Sequence, residues 1–431
     1  MNFQHSVTAS ELTNRLQAFI DTYVLPHNAA WHQSVLEGVY PPNFMDDLKI
    51  LAQEQGLWNL CLLVHDDVYG NTGLSNLDYA PLAESMGRIP WSAEVFNCNA
   101  PDSGNMALLQ QFATPVQRKE WLNPLMAGRI RSAFAMSEPD VASSDPINLQ
   151  TSVKQKGDRL EINGRKWFIT GAAHPQCQFM LVVCRNESLQ GEAGAENLHK
   201  QHSIVLVPLH QEGVEVVRNI PVVHKLSPEG HCEITFRNVS VPLENLMGQW
   251  GEGFALAQYR LGPSRIHHCM RTIGQCELAL DLATSRAMER KTFGHYLADY
   301  ANVKQWIAES RMEIDQARLL VLRVAWCMDQ LEQDTAFIRA QISGIKVVAA
   351  NLQSRVVERA IQIFGAMGLS PDTPLAEFWT WGRAMHLMDG PDEVHYRAVA
   401  RYEFKKAELL RGKTADYFTT PQQMREPVRV R

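Results

Sequence analysis

The chain has 431 residues, of which 45% are hydrophobic and 20% are charged, a composition typical of a globular protein and not of disordered, collagen-like or low-complexity chains. At about 150 residues per domain, this length predicts roughly three domains or one large multi-layer unit. Lys and Arg number 41 against 47 Asp and Glu, so the net charge of −6 argues against non-specific binding to nucleic acid or anionic membranes.

Targeting and redox signals are weak in this sequence. No stretch approaches the ~18 consecutive apolar residues that a membrane helix requires, and the N-terminus has no apolar signal region. The eight cysteines form no Cys-x-x-Cys pair, so we expect reduced thiols and no disulfide framework. These features predict a cytoplasmic protein with no membrane span.

The first part of the chain, residues 1–130, is predicted to form an N-terminal helical domain. Ser10 is in a position to cap a helix whose apolar residues Leu12, Leu16 and Phe19 recur at helical spacing. Similar amphipathic spacing returns several times before residue 130, which predicts several helices packed on one core.

Residues 131–245 differ in composition and in apolar spacing, and they are predicted to form a middle β-barrel-like domain. Short runs rich in Val, Ile, Thr and Phe, such as residues 179–183 and 204–207, are typical of strands. Asn163-Gly164 lies between two such runs and predicts a hairpin turn.

Helical spacing returns in residues 246–411, which are predicted to form a C-terminal four-helix bundle. The clearest stripe is made by Ile345, Val348, Ala349, Leu352, Val356, Ala360, Ile363 and Phe364. Residues 412–431 carry little apolar pattern and are predicted to be a tail or an arm on a neighbouring subunit. The class is therefore α+β, and the absence of alternating β-α units excludes a doubly wound sheet.

Several common site chemistries are excluded. No Gly-x-Gly-x-x-Gly follows a strand, and residues 412–414 resemble a P-loop only weakly, because Ala407 stands where that motif needs Gly. His267 and His268 are adjacent on a predicted helix, so their side chains point in different directions and a structural role is favoured over metal binding. We predict no metal site.

Short segments suited to a ligand occur at five places, although each alone is weak. Residues 134–145 offer small and polar groups, but in isolation favour an ordinary turn. Residues 166–171 end a strand with Thr-Gly, which could face a flat ring, although strand aromatics are usually core. Residues 289–294 place Arg and Thr at a helix end, suited to a pyrophosphate or simply to solvent. Residues 362–368 and 388–395 follow, the latter with an Asp-Gly-Pro typical of surface turns.

The order of these segments resembles the acyl-CoA dehydrogenase family of FAD flavoproteins, and the resemblance spans nearly the whole chain. Ser137-Glu138-Pro139 is similar to the family's flavin loop, and residues 168–170 are similar to its Trp/Phe-Ile-Thr strand. Residues 290–294 match the Arg-Lys-x-Phe-Gly segment that reaches the FAD of a neighbouring subunit. Residues 362–365 match the family's Gln-x-x-Gly-Gly cofactor segment except that Ala366 stands at its second Gly. The resemblance implies as FAD-binding residues Phe134, Met136, Ser137, Phe168, Ile169, Thr170, Arg290, Thr292, Phe293, Gln362, Gly365, Pro391 and Glu393.

Two departures from the family pattern bear on the site. The loop that begins at Ser137 is one residue longer than its common version, so either Ser143 or Ser144 would contact the CoA moiety. The usual Tyr-Glu-Gly-Thr base motif reads Met-Asp-Gly-Pro, which makes the base Asp389, one methylene shorter than Glu. Other branches place the base near Ser264, which is not an acid, so Asp389 is the candidate base.

The resemblance implies FAD-dependent α,β-dehydrogenation of an acyl-CoA thioester to the trans-2-enoyl-CoA, as in the β-oxidation of fatty acids. Asp389 would remove a Cα proton while Cβ passes a hydride to flavin N5, and a dry pocket would raise the pKa of its carboxyl. Arg265 would orient Asp389 or form a helix ion pair, and Gly390 would let the thioester approach the backbone. The family also implies electron-transferring flavoprotein as acceptor and a homodimer or homotetramer.

Two other functions remain open from the sequence. A nitroalkane-oxidase-like flavoprotein oxidase has a similar fold and would use the same Asp389; it would consume oxygen with a nitroalkane and ignore acyl-CoA. A non-catalytic protein that binds acyl-CoA or flavin would bind its ligand without bleaching the flavin.

Overall fold

The computed structural model describes residues 4–65, 73–187, 200–330 and 335–411, together with residues 413, 414 and 417. Most of the predicted tail, 412–431, lies outside the described residues. The N-terminal part is helical, with the elements α1 (Val7–Phe19), α2 (Asn28–Leu36), α3 (Phe44–Glu54), α4 (Asn76–Gly87), α5 (Ser92–Val95), α6 (Asp102–Phe112), α7 (Pro115–Gln117) and α8 (Asn123–Met126).

The predicted cap of the first helix was wrong by four residues. Ser6 caps α1, and its hydroxyl accepts a hydrogen bond of 3.1 Å from the backbone N–H of Ala9. Ser10 already lies inside the helix, where its hydroxyl donates to the Ser6 carbonyl at 3.0 Å. The predicted apolar residues, including Leu12 and Leu16, are buried as expected.

The middle part of the chain forms one mixed sheet. Its strands are β1 (Arg131–Ala135), β2 (Ser152–Lys156), β3 (Arg159–Thr170), β4 (Cys177–Asn186), β5 (His202–Pro208), β6 (Val214–Asn219), β7 (His231–Pro242) and β8 (Leu246–Met247). The strand order is β6-β7-β3-β2-β4-β5-β8, and β1 pairs in parallel with β4. Alternate side chains of these strands enclose an apolar core, as the period of two in a strand requires.

The hairpin turn predicted at Asn163-Gly164 was wrong. β3 runs through both residues, and the two-residue turn from β2 begins at Gly157, whose φ is +64°. Near Asn163 the pairing with β7 shifts register, and Asn163 Oδ1 accepts a 2.7 Å hydrogen bond from the N–H of Asn238. Gly is needed at 164 for a close approach, because a Cβ there would lie 2.6 Å from Cα of Thr151.

The C-terminal part is a bundle of long helices. α9 (Gly253–Glu289) leads through a short hairpin, β9 (Lys291–Thr292) and β10 (His295–Tyr296), to α10 (Ala301–Asp329). The remaining helices are α11 (Thr335–Phe364), α12 (Leu375–Met385) and α13 (Asp392–Leu409). α11 packs against the other four, and the stripe predicted on it faces the core, with Val348 and Phe364 partly buried and the other six residues buried. The architecture is the predicted α+β arrangement.

Close helix crossing fixes the position of α9 against the N-terminal helices. A Cβ on Gly274 would lie 2.0 Å from the carbonyl oxygen of Glu84, so α4 and α9 approach with their backbones in contact. Arg318 of α10 clamps the crossing by a 2.8 Å ion pair with Glu84 and by a further ion pair with Glu277. The crossing fixes the position of α9, the helix that carries several of the site residues described below.

A buried network of ion pairs anchors β1 to the N-terminal helices α3, α5 and α6. Glu94 pairs at 2.8 Å with both Lys49 and Arg131, and Arg131 also lies 3.3 Å from Asp102. These side chains are almost fully buried, and each charge has an opposite partner, as buried ions require. Since Arg131 is the first residue of β1, the network fixes the strand that leads into the predicted flavin loop.

Candidate active site

The predicted base lies in a tight loop between α12 and α13. Asp389 has a φ of +54° and Gly390 a φ of +100°, a conformation that costs about 1 kcal/mol at the Asp. Three buried or half-buried side chains hold the loop. Arg265 and His395 lie 3.0 and 3.2 Å from the Asp389 carbonyl oxygen, and Lys346 donates to the Gly390 carbonyl oxygen at 2.8 Å. The backbone that carries the carboxylate is therefore fixed from three helices.

The start of α13 is held by a second set of polar contacts. Asp392, in the first turn, lies 3.3 Å from Lys346 Nζ and accepts a short hydrogen bond from Nδ1 of His386. The other ring nitrogen of His386 lies 2.9 Å from the hydroxyl of Ser354 on α11. One connected set of hydrogen bonds therefore links the loop to the end of α12 and to the start of α13.

Basic side chains surround the carboxylate of Asp389. Burial by itself raises the pKa of this carboxyl, but His268 in its protonated form, together with Arg265, Arg260 and Lys346, acts in the opposite direction and holds the pKa below its ordinary value. The expectation of a raised pKa was therefore wrong, because it considered the dry pocket without its charges. Asp389 is ionised at neutral pH, which is the form that can accept a proton.

Arg265 contacts the backbone of the base and not its carboxylate. Its guanidinium donates a 3.0 Å hydrogen bond to the Asp389 carbonyl oxygen. Its Nε is buried and has no hydrogen-bond acceptor in the ranges the structure describes. Ser264, at the alternative base position, donates its hydroxyl to the carbonyl of Arg260 at 3.0 Å.

The adjacent histidines of α9 have different surroundings. The ring of His267 packs edge-on against Tyr79, with 4.5 Å between ring centroids, whereas Nε2 of His268 lies 3.7 Å from Oδ2 of Asp389. Burial lowers the pKa of His268 to about 4, although the Asp389 carboxylate opposes this shift. His268 is therefore neutral at pH 7, next to the predicted base.

Sequence reasoning missed the groups that surround Asp389, namely Arg260, His268, Lys346 and His395. One signal was available for His268, which follows Arg265 by three residues and so lies on the same face of a helix. Nothing local relates Lys346 of α11 to Asp389, because their contact depends on how the helices pack.

The predicted flavin loop begins where β1 ends. Lys166, fully buried, donates to the Met136 carbonyl at 2.7 Å, and the N–H of Trp167 donates to the Ser137 carbonyl at 3.0 Å. Phe134 is half-buried, with the guanidinium of Arg260 4.2 Å above the centre of its ring. The loop is thus tied to β3 on one side and to α9 on the other.

A bulge near the end of β3 changes which way its side chains face. Phe168 has a φ of +52° and is 44% exposed, while Ile169 is buried in the β core. Any contact between Ile169 and a cofactor would therefore involve its backbone. The hydroxyl of Thr170 lies 3.0 Å from Nδ1 of His231.

The two candidate serines for CoA differ in how they are engaged. The carboxylate of Glu138 accepts hydrogen bonds from the backbone N–H groups of Gln150 and Thr151, and so closes the loop. Ser143 is half-buried, and its hydroxyl accepts a 2.9 Å hydrogen bond from the N–H of Glu138. Ser144 is exposed.

The remaining predicted FAD residues fall into two places. Pro391 and Glu393 lie at the start of α13, beside Asp389. Arg290, Thr292 and Phe293 lie on the β9–β10 hairpin, where Phe293 occupies the tip with a φ of +47° and is 94% exposed.

Gln362 and Gly365 are exposed at the far end of α11. We call Arg290, Thr292, Phe293, Gln362 and Gly365 the outer group, and the predicted residues of β1, β3 and the Asp389 loop the inner group. At 1.5 Å per residue, α9 separates Arg265 from Arg290 by about 37 Å, and α11 separates Lys346 from Gln362 by about 24 Å. The two groups therefore lie at opposite ends of the bundle in one chain.

Three sequence-family profiles match the chain in order. The profile described as "Acyl-CoA dehydrogenase, N-terminal domain" matches residues 7–129, its middle-domain counterpart matches 133–239, and its C-terminal counterpart matches 251–403. The chain belongs to the acyl-CoA dehydrogenase family. This acyl-CoA dehydrogenase homologue is accordingly an oxidoreductase, and its cofactor is FAD.

Relatives of this chain occur in bacteria and animals. It is 46% identical over 415 residues to "Probable acyl-CoA dehydrogenase FadE2" of Mycobacterium tuberculosis, covering 94% of this chain and 98% of that one. It is 43% identical over 375 residues to "Acyl-CoA dehydrogenase family member 11" of Homo sapiens, covering 86% of this chain but 46% of that protein. It therefore spans nearly all of the mycobacterial relative and about half of the human one.

Solved structures agree with the fold. A putative acyl-CoA dehydrogenase from Mycobacterium abscessus is 41% identical, has a TM-score of 0.87, and covers 94% of this chain and 100% of its own. The FAD complex of PigA shares the fold at 20% identity, with a TM-score of 0.80 and the same coverage of 94% and 100%. The predicted α+β architecture is confirmed.

The residues of the inner group fit FAD. An exposed aromatic ring at Phe168 and a half-buried one at Phe134 suit a flat isoalloxazine ring, and the hydroxyl of Thr170 suits its polar edge. Arg290 of the outer group suits a pyrophosphate. Among the described residues there is no cluster of three metal-ligating side chains, and no helix there is long and apolar enough to cross a membrane.

Proposed function

We propose that this chain catalyses the FAD-dependent α,β-dehydrogenation of an acyl-CoA thioester to the trans-2-enoyl-CoA. The observation that carries the proposal is Asp389, an ionised carboxylate on a backbone held by Arg265, Lys346 and His395. A base needs its proton-free form and a fixed position, and both conditions are met here.

Asp389 takes the Cα proton in this proposal. The substrate carbonyl must accept hydrogen bonds as negative charge develops on it, and the N–H of Asp389 donates to no acceptor within the described ranges. Gly390 places no side chain of its own beside this N–H, which the thioester would approach. When bound, FAD supplies the acceptor for the hydride that leaves Cβ. Arg265 acts through the loop, as a positioning residue.

The outer group supports a subunit-shared cofactor site. Because Arg290, Thr292 and Phe293 lie far from the inner group of their own chain, they serve the FAD of a neighbouring subunit in the proposed assembly. The 94% exposure of Phe293 is consistent with a contact outside its own chain. A homodimer is the smallest assembly in which each FAD site is complete, and a homotetramer would contain two such dimers.

Finer assignments rest on the loop at Ser137 and on the family. Ser144 is proposed as the CoA contact, because the hydroxyl of Ser143 is engaged with Glu138. Electron-transferring flavoprotein is proposed as the electron acceptor and fatty-acid β-oxidation as the setting, both on the basis of the family.

Anaerobic titration of the purified holoenzyme with acyl-CoAs of different chain length tests the proposal. Loss of the yellow flavin absorbance with one class of acyl-CoA is expected. A flavin that binds acyl-CoA without bleaching would contradict dehydrogenation and indicate a binding protein. Oxygen consumption with a nitroalkane, and no response to acyl-CoA, would indicate the oxidase.

A further inference from the structure

His268 places an imidazole beside the carboxylate of the predicted base. Its Nε2 lies 3.7 Å from Oδ2 of Asp389, its side chain is largely buried, and its ring centroid lies 6.3 Å from that of Trp381 on α12. This separation is slightly longer than a hydrogen bond, so a small rotation of either side chain would bring the two atoms into contact.

The charged groups around the pair come from three helices. α9 contributes Arg260, Arg265 and Arg271, and α11 contributes Lys346. His395 of α13 contacts the Asp389 backbone, and the pKa of His395 is lowered to about 4, chiefly by burial. Asp392 of the same helix is paired with Lys346.

A carboxylate among these cations is a weak proton acceptor. The guanidinium groups of Arg260 and Arg265 stabilise the ionised form of Asp389 and disfavour its protonated form. A base must nevertheless hold the proton long enough for the reaction to proceed. A neutral imidazole within reach supplies a second acceptor for the same proton.

We propose that His268 and Asp389 act as one acid–base pair, in which His268 takes over the proton that Asp389 removes from the substrate. In this step the Cα–H bond breaks, and its electron pair stays with the substrate. The proton goes to an oxygen of Asp389 and then to Nε2 of His268, which leaves a carboxylate beside an imidazolium. The proton transfer changes no oxidation state, and the inference rests on the proposed function.

The resulting ion pair offsets the repulsion of the new imidazolium by the nearby arginines. Opposite charges about 4 Å apart attract strongly where water is excluded, so the carboxylate stabilises the imidazolium it faces. Because the proton can reside on either partner, the pair binds it more tightly than Asp389 alone would. Removal of the imidazole should therefore weaken the base and move its titration to lower pH.

Exchange of substrate α-hydrogens in heavy water tests the pair. The probe is a 3-thia-acyl-CoA, in which sulfur replaces the β-carbon, so that proton removal occurs without hydride loss; deuterium uptake is measured by mass spectrometry across pH. His268→Gln and His268→Asn in the holoenzyme are expected to lower the exchange rate at pH 7 by about 10- to 100-fold. The acid limb of the pH profile is expected to move to lower pH in both variants.

The neighbouring histidine provides a matched control. His267→Gln removes a buried imidazole from the same turn of α9, but one that faces Tyr79, and is expected to exchange within about twofold of the wild type. A folded, FAD-loaded His268→Gln protein with the wild-type rate and the wild-type acid limb would overturn the pair. If both His268 variants misfold, the wild-type profile decides: an acid limb at or above about pH 4, the ordinary value of a lone Asp carboxyl, supports the pair, and a lower one, as expected for Asp389 alone among these cations, overturns it.

The same experiment separates this inference from the proposed function. If the wild type exchanges α-hydrogens and Asp389→Asn does not, the proposed role of the base holds whatever the His268 variants do. If the wild type neither exchanges α-hydrogens of any 3-thia-acyl-CoA nor loses flavin absorbance with any acyl-CoA, the proposed function is contradicted, and the acid–base pair that rests on it is contradicted as well.

Discussion

Lys346, from within α11, donates a 2.8 Å hydrogen bond to the carbonyl oxygen of Gly390, the residue that follows Asp389. The same ammonium pairs with Asp392 at 3.3 Å, so one buried side chain holds both ends of the turn before α13. The core of the bundle is thereby connected directly to the position of the base. This connection makes the loop sensitive to a residue that is far from it in sequence.

Replacing this lysine tests the connection. Lys346→Met should lower kcat for acyl-CoA oxidation by about 10-fold with a smaller change in KM, because the loop loses an anchor while the pocket keeps its shape. It should also cost about 1–3 kcal/mol of unfolding free energy, since Asp392 loses a buried partner. Steady-state kinetics and denaturant unfolding measure both effects. Lys406→Met, on the exposed surface of α13, is the control and should change neither.

The carboxylate of Asp389 is expected to be essential for flavin reduction. Asp389→Asn should retain FAD and lower the rate of flavin bleaching by acyl-CoA by about 10²- to 10⁴-fold, the usual contribution of a general base. Stopped-flow absorbance measures the rate. Asp389→Glu tests reach, and activity in this variant would mean that the site tolerates one more methylene. Unimpaired turnover by Asp389→Asn would remove this residue from the mechanism.

Gly390 is expected to resist substitution for steric reasons. Its φ of +100° is unfavourable for any L side chain, and a Cβ there would lie 3.1 Å from Nε2 of His395. Gly390→Ala should therefore destabilise the fold by about 1–2 kcal/mol and reduce activity. Gly262→Ala is the matched control, because Gly262 is helical and no atom lies within 4 Å of a Cβ there. That variant should gain about 0.5–1 kcal/mol in the same unfolding measurement.

His267 should make the fold sensitive to acid. Burial lowers the pKa of His267 to about 3, below the value of about 6.5 expected in the unfolded chain. Its contribution is fully present above pH 6.5 and is lost as pH falls from there toward 3, because the unfolded chain binds a proton that the folded one rejects. His267→Gln should reduce the slope of unfolding free energy against pH in that window. An unchanged slope would contradict the assignment.

The exposed tip of the β9–β10 hairpin should matter for cofactor retention and little for the stability of the single chain. Phe293→Ser and Arg290→Gln are expected to lower the FAD-to-protein ratio after gel filtration, because these side chains serve a neighbouring subunit in the proposed assembly. Leu36→Ser removes an exposed apolar side chain from α2 and should leave the ratio unchanged. Full FAD retention by both hairpin variants would contradict the shared site.

The order of helical and β segments was predictable from local pattern. The stripe on α11 faces the core because the 3.6-residue period of a helix relates Ile345 to Leu352 whatever surrounds them. Turn positions were less predictable: Asn163-Gly164 has a common hairpin sequence, but the chain turns at Gly157, where the register of β2 against β3 is satisfied. Pairing between strands decides such positions, and a local pattern cannot express it.

By itself, the sequence determined the α, β and α order of the chain and the identity of its candidate base, because periodicity and ordered motifs are properties of neighbouring residues. The tertiary structure alone decided the charge environment of that base. It brought His268, Lys346 and His395 from three helices to Asp389, and it reversed the expected direction of the carboxyl's pKa shift. The electrostatic energy of a buried group depends on distances to charges that are remote in sequence, and only the packing of the helices sets those distances.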